Sequence, residues 1–281
     1  MRILCPTYWK DSDGDESPSG WYRDSELLPV SFLLNFLRTH SFRLFRGAAW
    51  TALLVPTSLW YQTALELSRL QALILRPIIG FTPYRRDRRR SVMVAWLLSS
   101  WLQQLTRIKR SFPIEIETEG QHQVIEASQH PGGLVICSVH VPLVYAVLHS
   151  LVDIGVPPTG VVAGEREKQH GKIPVWGRQV DLPAIPVNQY VLLKVRTILR
   201  EGGAVFALID AGFGDSPRRN IFRLIGKVGA RAVLAVAALG PTGEIIVEYF
   251  DPPDPFCETE ESIVANLEFL QAKLNSVVSG A

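Results

Sequence analysis

The chain has 281 residues, 47% of them apolar, with 29 basic against 27 acidic side chains and a net charge of +2. That length can bury one sizeable core, and the near-balance of charge excludes a nucleic-acid binder driven by overall charge. The charge is instead segregated: Asp11, Asp13, Asp15, Glu16, Asp24 and Glu26 make the start acidic, whereas Tyr84 to Arg90 reads Tyr-Arg-Arg-Asp-Arg-Arg-Arg. Cys5, Cys137 and Cys257 are odd in number and far apart, so no disulfide framework or thiol metal site is expected and a reducing compartment is the simpler assumption.

Residues 1–30 are rich in Ser, Gly and Asp and are expected to form a mobile polar tail. They lack a basic start followed by an apolar run and a small-residue cleavage site, so no signal peptide is expected. Residues 31–110 turn apolar and are expected to be a helical membrane-contact region. From Gly47 to Leu65 no formally charged side chain occurs over nineteen residues, a length that could cross a bilayer. Pro56 in its middle, the polar Thr51, Thr57, Ser58, Gln62 and Thr63, and Arg43, Arg46, Arg69 and Arg76 on its flanks favour an in-plane or re-entrant hairpin over a span. An ordinary core helix is the remaining reading. Ser91 to Arg110 then sets Trp96, Leu97, Trp101, Leu105 and Ile108 at helical spacing. Such a helix either packs on the core with a solvated basic end or, joined to the preceding arginines, meets anionic lipid, where each Lys or Arg is worth about 1 kcal/mol.

Residues 111–281 alternate strand and helix. A short strand is expected at Ile114 to Thr118, a helix at Gln121 to Gln129 ended by Pro131-Gly132-Gly133, and a buried strand at Leu134 to Val139. A helix is expected to begin at Pro142, a strand at Gly160 to Ala163, a polar loop from Gly164 to Lys172, and a proline-rich turn around Pro183 and Pro186. Asn188 is placed to cap the helix Gln189 to Glu201, which Gly202-Gly203 stops before the strand Ala204 to Ile209. A helix around Phe222 to Val228, strands at Ala232 to Ala238 and Glu244 to Phe250 joined by Pro241-Thr242-Gly243, and a helix from Glu260 complete the order. This is an α/β pattern: a mostly parallel central sheet with flanking helices and one antiparallel strand at its end.

In such sheets ligands bind beyond the carboxyl ends of strands, and His140 stands at that position after Leu134 to Val139. With a helix start beside it, an imidazole base would sit among backbone N–H groups that favour developing negative charge. Ser138 shares the face of His140, whereas Cys137 points away and is read as core. Asp210 ends a neighbouring strand. His149 and Asp153, four apart on a helix, are expected to form a modest surface pair. Gly212-Phe213-Gly214 is not a nucleotide loop, no metal-ligand spacing is present, and no Gly-x-Ser-x-Gly elbow of an α/β hydrolase occurs.

One order of motifs is more specific. Glu119-Gly120, then Gly132-Gly133-Leu134-Val135-Ile136-Cys137-Ser138-Val139-His140, Arg166, Trp176-Gly177-Arg178, Leu199-Arg200-Glu201-Gly202-Gly203, Ile209-Asp210, Gly229-Ala230-Arg231-Ala232-Val233 and Asp251-Pro252-Pro253 follow one another between Glu115 and Pro253. In that order the chain resembles the lysophospholipid acyltransferase superfamily, most closely its branch of late acyltransferases of lipid A biosynthesis. The resemblance implies a bacterial enzyme of lipid biosynthesis at the cytoplasmic face of the inner membrane. His140 would be the general base, the acyl donor a thioester on coenzyme A or acyl carrier protein, and no further cofactor would be needed. The family motif His-x-x-x-x-Asp/Glu reads His-x-x-x-x-Tyr here, so Tyr145 stands where a carboxylate would orient the base. Asp210, then Glu165 and Glu167, are the candidate replacements. Ser138, Glu165, Arg166 and Arg178 are candidate substrate contacts, the arginines for a phosphate or carboxylate of the acceptor. The alternative is a catalytically weak or inactive relative that binds lipid or acyl chains.

Overall fold

In the computed structural model, residues 54–79, 86–139, 141–162, 171–209 and 215–279 are described. The expected polar tail at residues 1–30 and the uncharged run from Gly47 to Leu53 therefore lie outside the described residues. After a single 3₁₀ turn, Thr57–Leu59, come α1 (Trp60–Ile79) and α2 (Arg86–Ile108). The rest is β1 (Ile116–Glu119), α3 (Gln121–Ser128), β2 (Leu134–Ser138), α4 (Tyr145–Asp153), β3 (Thr159–Val162), β4 (Lys172–Pro174), β5 (Asp181–Pro186), α5 (Val191–Arg200), β6 (Ala204–Leu208), α6 (Asp215–Val228), β7 (Arg231–Leu239), β8 (Ile245–Phe250) and α7 (Glu260–Ser279). The eight strands form one sheet in the order β1-β8-β7-β2-β6-β3-β5-β4. Strands β7, β2, β6, β3 and β5 run parallel, β8 is antiparallel to β7, and β4 is antiparallel to β5. The fold is therefore the expected α/β class with a mostly parallel sheet.

Both faces of the sheet are covered, as parallel strands require. Leu134 and Ile136 of β2 pack with α1, α2, α3 and α4 into one core, while Val135 and Cys137 pack with α5, α6 and α7 into the other. Because successive side chains alternate, a single five-residue strand divides itself between two layers. Cys137 is fully buried, and burial pushes its thiol far above the ordinary range, which makes it the packing residue expected.

Helices α1 and α2 belong to the first of these cores. Trp60, Tyr61, Ala64 and Leu65 of α1 and Leu97, Leu98, Trp101, Leu102 and Leu105 of α2 are buried in it. The two run antiparallel, since Trp60 meets Phe112 with ring centroids 5.6 Å apart and Trp101 Nε1 donates to Gln71 Oε1 at 3.2 Å. Of the residues expected on the apolar face of the second helix, Trp96 alone stays exposed; with Val92 on α2 and Leu70, Leu73 and Ile74 on α1 it leaves an apolar outer surface. No helix among the described residues is long and apolar enough to cross a membrane.

Four expectations need correction. The prolines at 183 and 186 do not make a turn: they lie in β5, whose pairing with β3 begins at Ala184, after Pro183, and whose Ala184 N–H donates to the Gly171 carbonyl at 2.9 Å. Proline is tolerated in strands where no ladder N–H is required of it. The helix expected at Pro142 begins at Tyr145, because residues 142–144 form tight turns, with Val144 N–H bonded to Val141 and Ala146 N–H to Leu143. The helix before β7 starts at Asp215 rather than near Phe222. The antiparallel strand is not the sheet's end, because β1 pairs parallel outside β8.

The docking of α1 rests on the β7–β8 turn. Tyr61 Oη donates to the Gly243 carbonyl at 2.5 Å and Arg69 donates to the Thr242 carbonyl at 3.0 Å. Tyr61 is buried there, so Tyr61→Phe leaves a buried carbonyl unpaired and is expected to cost about 1–3 kcal/mol, read as a lower denaturation midpoint with an unchanged denaturant slope.

Candidate active site

Strand β2 lies between β7 and β6. The chain leaves β2 through α4, packed in the first core, and reaches β3 on one side; it leaves β6 through α6, packed in the second core, and reaches β7 on the other side. Adjacent strands whose connections depart over opposite faces open a crevice beyond their carboxyl ends. That switch point falls between β2 and β6. Their register runs Leu134↔Ala204 to Ser138↔Leu208 without slippage, and the Ile209 N–H extends it by donating to the Ser138 carbonyl at 2.9 Å. Two residues beyond Ser138 and Leu208 in the sequence come His140 and Asp210. Both lie outside the described residues, as do Glu165, Arg166 and Glu167.

Ser138 ends β2 fully buried, and its Oγ has no hydrogen-bond partner among the described residues. A buried hydroxyl without a partner costs free energy, so a polar group brought to this strand end would relieve it. Directly after it, the Val141 N–H donates to the Val139 carbonyl at 2.8 Å, and the chain turns sharply into the segment before α4.

Tyr145 opens α4 and stacks on Trp176, with ring centroids 5.4 Å apart and planes 23° from parallel. Trp176 is buried and lies at the tip of the β4–β5 hairpin, which folds across α4. At the other end of α4, Arg178 of the same tip pairs with Asp153 at 2.6 Å. Between the two stands His149, buried, with Nδ1 at 3.2 Å from Asp153 Oδ2 but out of line for a hydrogen bond. The expected surface pair of His149 and Asp153 is thus half wrong: the contact exists, but the histidine lies under the hairpin tip. Arg178, an expected anion contact, is engaged by Asp153.

The tip is fixed in turn by Gly177, whose φ is +64° and whose carbonyl accepts from the Phe112 N–H at 3.2 Å. A Cβ at 177 would meet the Phe112 carbonyl oxygen at 2.5 Å. Arg110 also pairs with Asp181 at the base of β5, which holds the aspartate's carboxyl below the usual range. Sequence reasoning marked Trp176-Gly177-Arg178 as a motif without its role. The signal was the isolated glycine between an aromatic and a cation, the composition of a tight turn with two anchors.

Burial lowers the His149 pKa from the ordinary 6.5 to about 4; Asp153 opposes this and Arg178 adds to it. At neutral pH the ring is therefore uncharged. Among the described residues no group of His, Cys, Asp and Glu could hold a metal ion. No protein-family model matches the chain and no curated protein matches it, so the resemblance carried by its motifs rests on the residues themselves.

Two outcomes follow from this geometry. An unfolded His149 takes up a proton as pH falls through 6.5 and the folded one only near 4, so stability is full above 6.5 and is lost on acidification, by up to about 3 kcal/mol. Chemical denaturation at stepped pH should show that loss in the parent and a flatter profile in His149→Gln. Gly177→Ala combines left-handed strain with a backbone clash and is expected to destabilise by at least about 2 kcal/mol, with the largest rise in amide exchange at Phe112 and in α4.

Proposed function

We propose that this chain is a membrane-associated acyltransferase that moves a fatty acyl group from an acyl thioester, on coenzyme A or acyl carrier protein, to a hydroxyl or amine of a lipid or lipid-like acceptor. His140 is the general base. The observation that carries the reading is the unbroken β2–β6 register at the switch point, which leads in sequence to His140 on one strand and Asp210 on the next. A base and a carboxylate from adjacent strand ends are the pair that acyl transfer to an unactivated hydroxyl needs.

In the reaction, His140 takes the proton from the acceptor hydroxyl as its oxygen attacks the thioester carbonyl carbon. The tetrahedral intermediate collapses with cleavage of the carbon–sulfur bond, and the departing thiolate recovers that proton from the imidazolium. Asp210 orients the ring and stabilises its charged form, the task that Tyr145 cannot perform, since a neutral phenol packed on Trp176 offers no negative charge. Ser138 offers a buried hydroxyl, unpaired among the described residues, two residues before the base, and Arg166 with Glu165 contacts the acceptor head. The Asp153 pair leaves Arg178 at most a shared role there.

A membrane acceptor suits the apolar surface left by α1 and α2, with Leu70, Leu73, Ile74, Val92 and Trp96 exposed and the Arg85 to Arg90 run beside them in sequence. It also fits peripheral or in-plane attachment at the cytoplasmic face of the inner membrane. One observation favours a second reading, a lipid-binding relative with little or no turnover: where the resemblance calls for an acid, an aromatic ring is built into the packing.

Purified protein incubated with labelled acyl thioesters and a total lipid extract should yield an acylated lipid. His140→Ala should abolish it, and Asp210→Asn should lower turnover by roughly 10⁴, the loss seen when an orienting carboxylate is neutralised in a catalytic triad. Tyr145→Phe should retain activity, and Tyr145→Glu should not raise it. No product across several donors and acceptors would leave only the binding reading.

A further inference from the structure

Helix α5 buries one apolar stripe and leaves apolar groups exposed on the opposite side of its first turn. Val195 and Leu199 are buried against the sheet, while Tyr190 at its start and Leu193 are 56% and 60% exposed. At 3.6 residues per turn, Tyr190 and Leu193 share the side opposite that buried pair, with Lys194 and Arg196, both exposed, on either flank. Val187, also exposed, precedes them. Apolar groups flanked by cations on one helix face are the composition of an interfacial segment, in which long basic side chains reach outward past the buried groups.

The position of this stripe adds to its composition. The Val187 N–H donates to the Val162 carbonyl at 2.9 Å, which holds the entry to α5 at the carboxyl edge of β3 and β5. On the other side of β2 and β6 the same edge carries the β7–β8 turn on which α1 sits, preceded by Leu54 and Leu59, 86% and 51% exposed. From β7 to β5 is four strand steps, roughly 19 Å at about 4.8 Å each. Exposed apolar residues thus bracket the strand ends that lead to His140 and Asp210. Along α5, Lys194 and Arg196 lie four and six residues beyond Tyr190, about 6 and 9 Å at the helical rise. With its amino end toward the bilayer, the apolar groups enter first and the cations meet the phosphates.

We infer that Val187, Tyr190 and Leu193, with Lys194 and Arg196, form a second membrane contact, on an anionic lipid surface, that turns the carboxyl edge of the sheet toward the bilayer. It rests on the membrane-associated reading and is independent of acyl transfer. A bilayer is the favoured occupant because Lys194 and Arg196 on the flanks complement an anionic surface and exclude a purely apolar one.

The test uses the full chain and phosphatidylcholine vesicles with or without phosphatidylglycerol. Replacing Tyr190 and Leu193 together by Ser should weaken partition into both by at least about tenfold. Replacing Lys194 and Arg196 by Gln should weaken it about fivefold per charge, on the anionic vesicles alone. An environment-sensitive dye on Leu193→Cys, in a Cys5→Ser background where Cys137 and Cys257 are buried, should shift to the blue and be quenched from within the lipid. Parent-like binding by both variants with an unquenched dye overturns the inference and leaves contact through α1 and α2 standing. A parent that binds neither vesicle overturns both. Loss of a parent dimer in the Tyr190 and Leu193 variant, with vesicle binding unchanged, assigns the face to a second copy and overturns it as well.

Discussion

The closure of the β4–β5 hairpin tip over α4 fixes the far edge of the sheet to the helical layer on that face. Its contacts are few and unlike one another: a ring stack from Trp176 to Tyr145, an ion pair from Arg178 to Asp153, and a backbone hydrogen bond from Phe112 to Gly177. Together they bind the sheet's far edge to α4 and to the segment between α2 and β1. Exposed ion pairs such as Arg178–Asp153 are worth little alone. Here the stack and the backbone bond fix the geometry, and the burial of Val175 and Trp176 supplies the apolar contribution. The tip also explains why His149 is dry and uncharged: water is excluded by a loop far from it in sequence.

Beneath that clasp, the sheet works as a register device. Parallel pairing of β2 with β6 keeps their carboxyl ends level, while β7 runs on to Leu239 past its last partner in β2, and burial of both faces prevents slippage, because a one-residue shift would exchange every side chain between the two cores. Function at such an edge needs little more from the core than this levelness. The second face contributes rigidity. Asn266 of α7, fully buried, accepts from the Asp254 N–H and donates to the Asp254 carbonyl, tying the segment after β8 to the last helix.

Buried polar groups without a partner among the described residues occur at both edges of the sheet. At the amino edge Arg231 pairs with both Glu126 and Asp251, while its Nε is buried without a partner among the described residues. At the carboxyl edge the Ser138 hydroxyl stands without a partner among the described residues.

The sequence by itself determined the α/β class and the order of nearly every element, because period-2 and period-3.6 patterns and glycine stops are local properties. It also marked Leu134 to Val139 as a buried strand and Cys137 as core. It misread Pro183 and Pro186, since a proline's cost in a strand depends on which neighbour needs its N–H, and that is a matter of pairing. It read His149 as exposed because a polar residue on a helix is dry only if something covers it, and the covering loop lies at Val175 to Arg178. Strand order, and with it the switch point between β2 and β6, was likewise decided by tertiary structure alone: the sequence lists strands in order, but only packing of helices on two faces chooses which ends become neighbours.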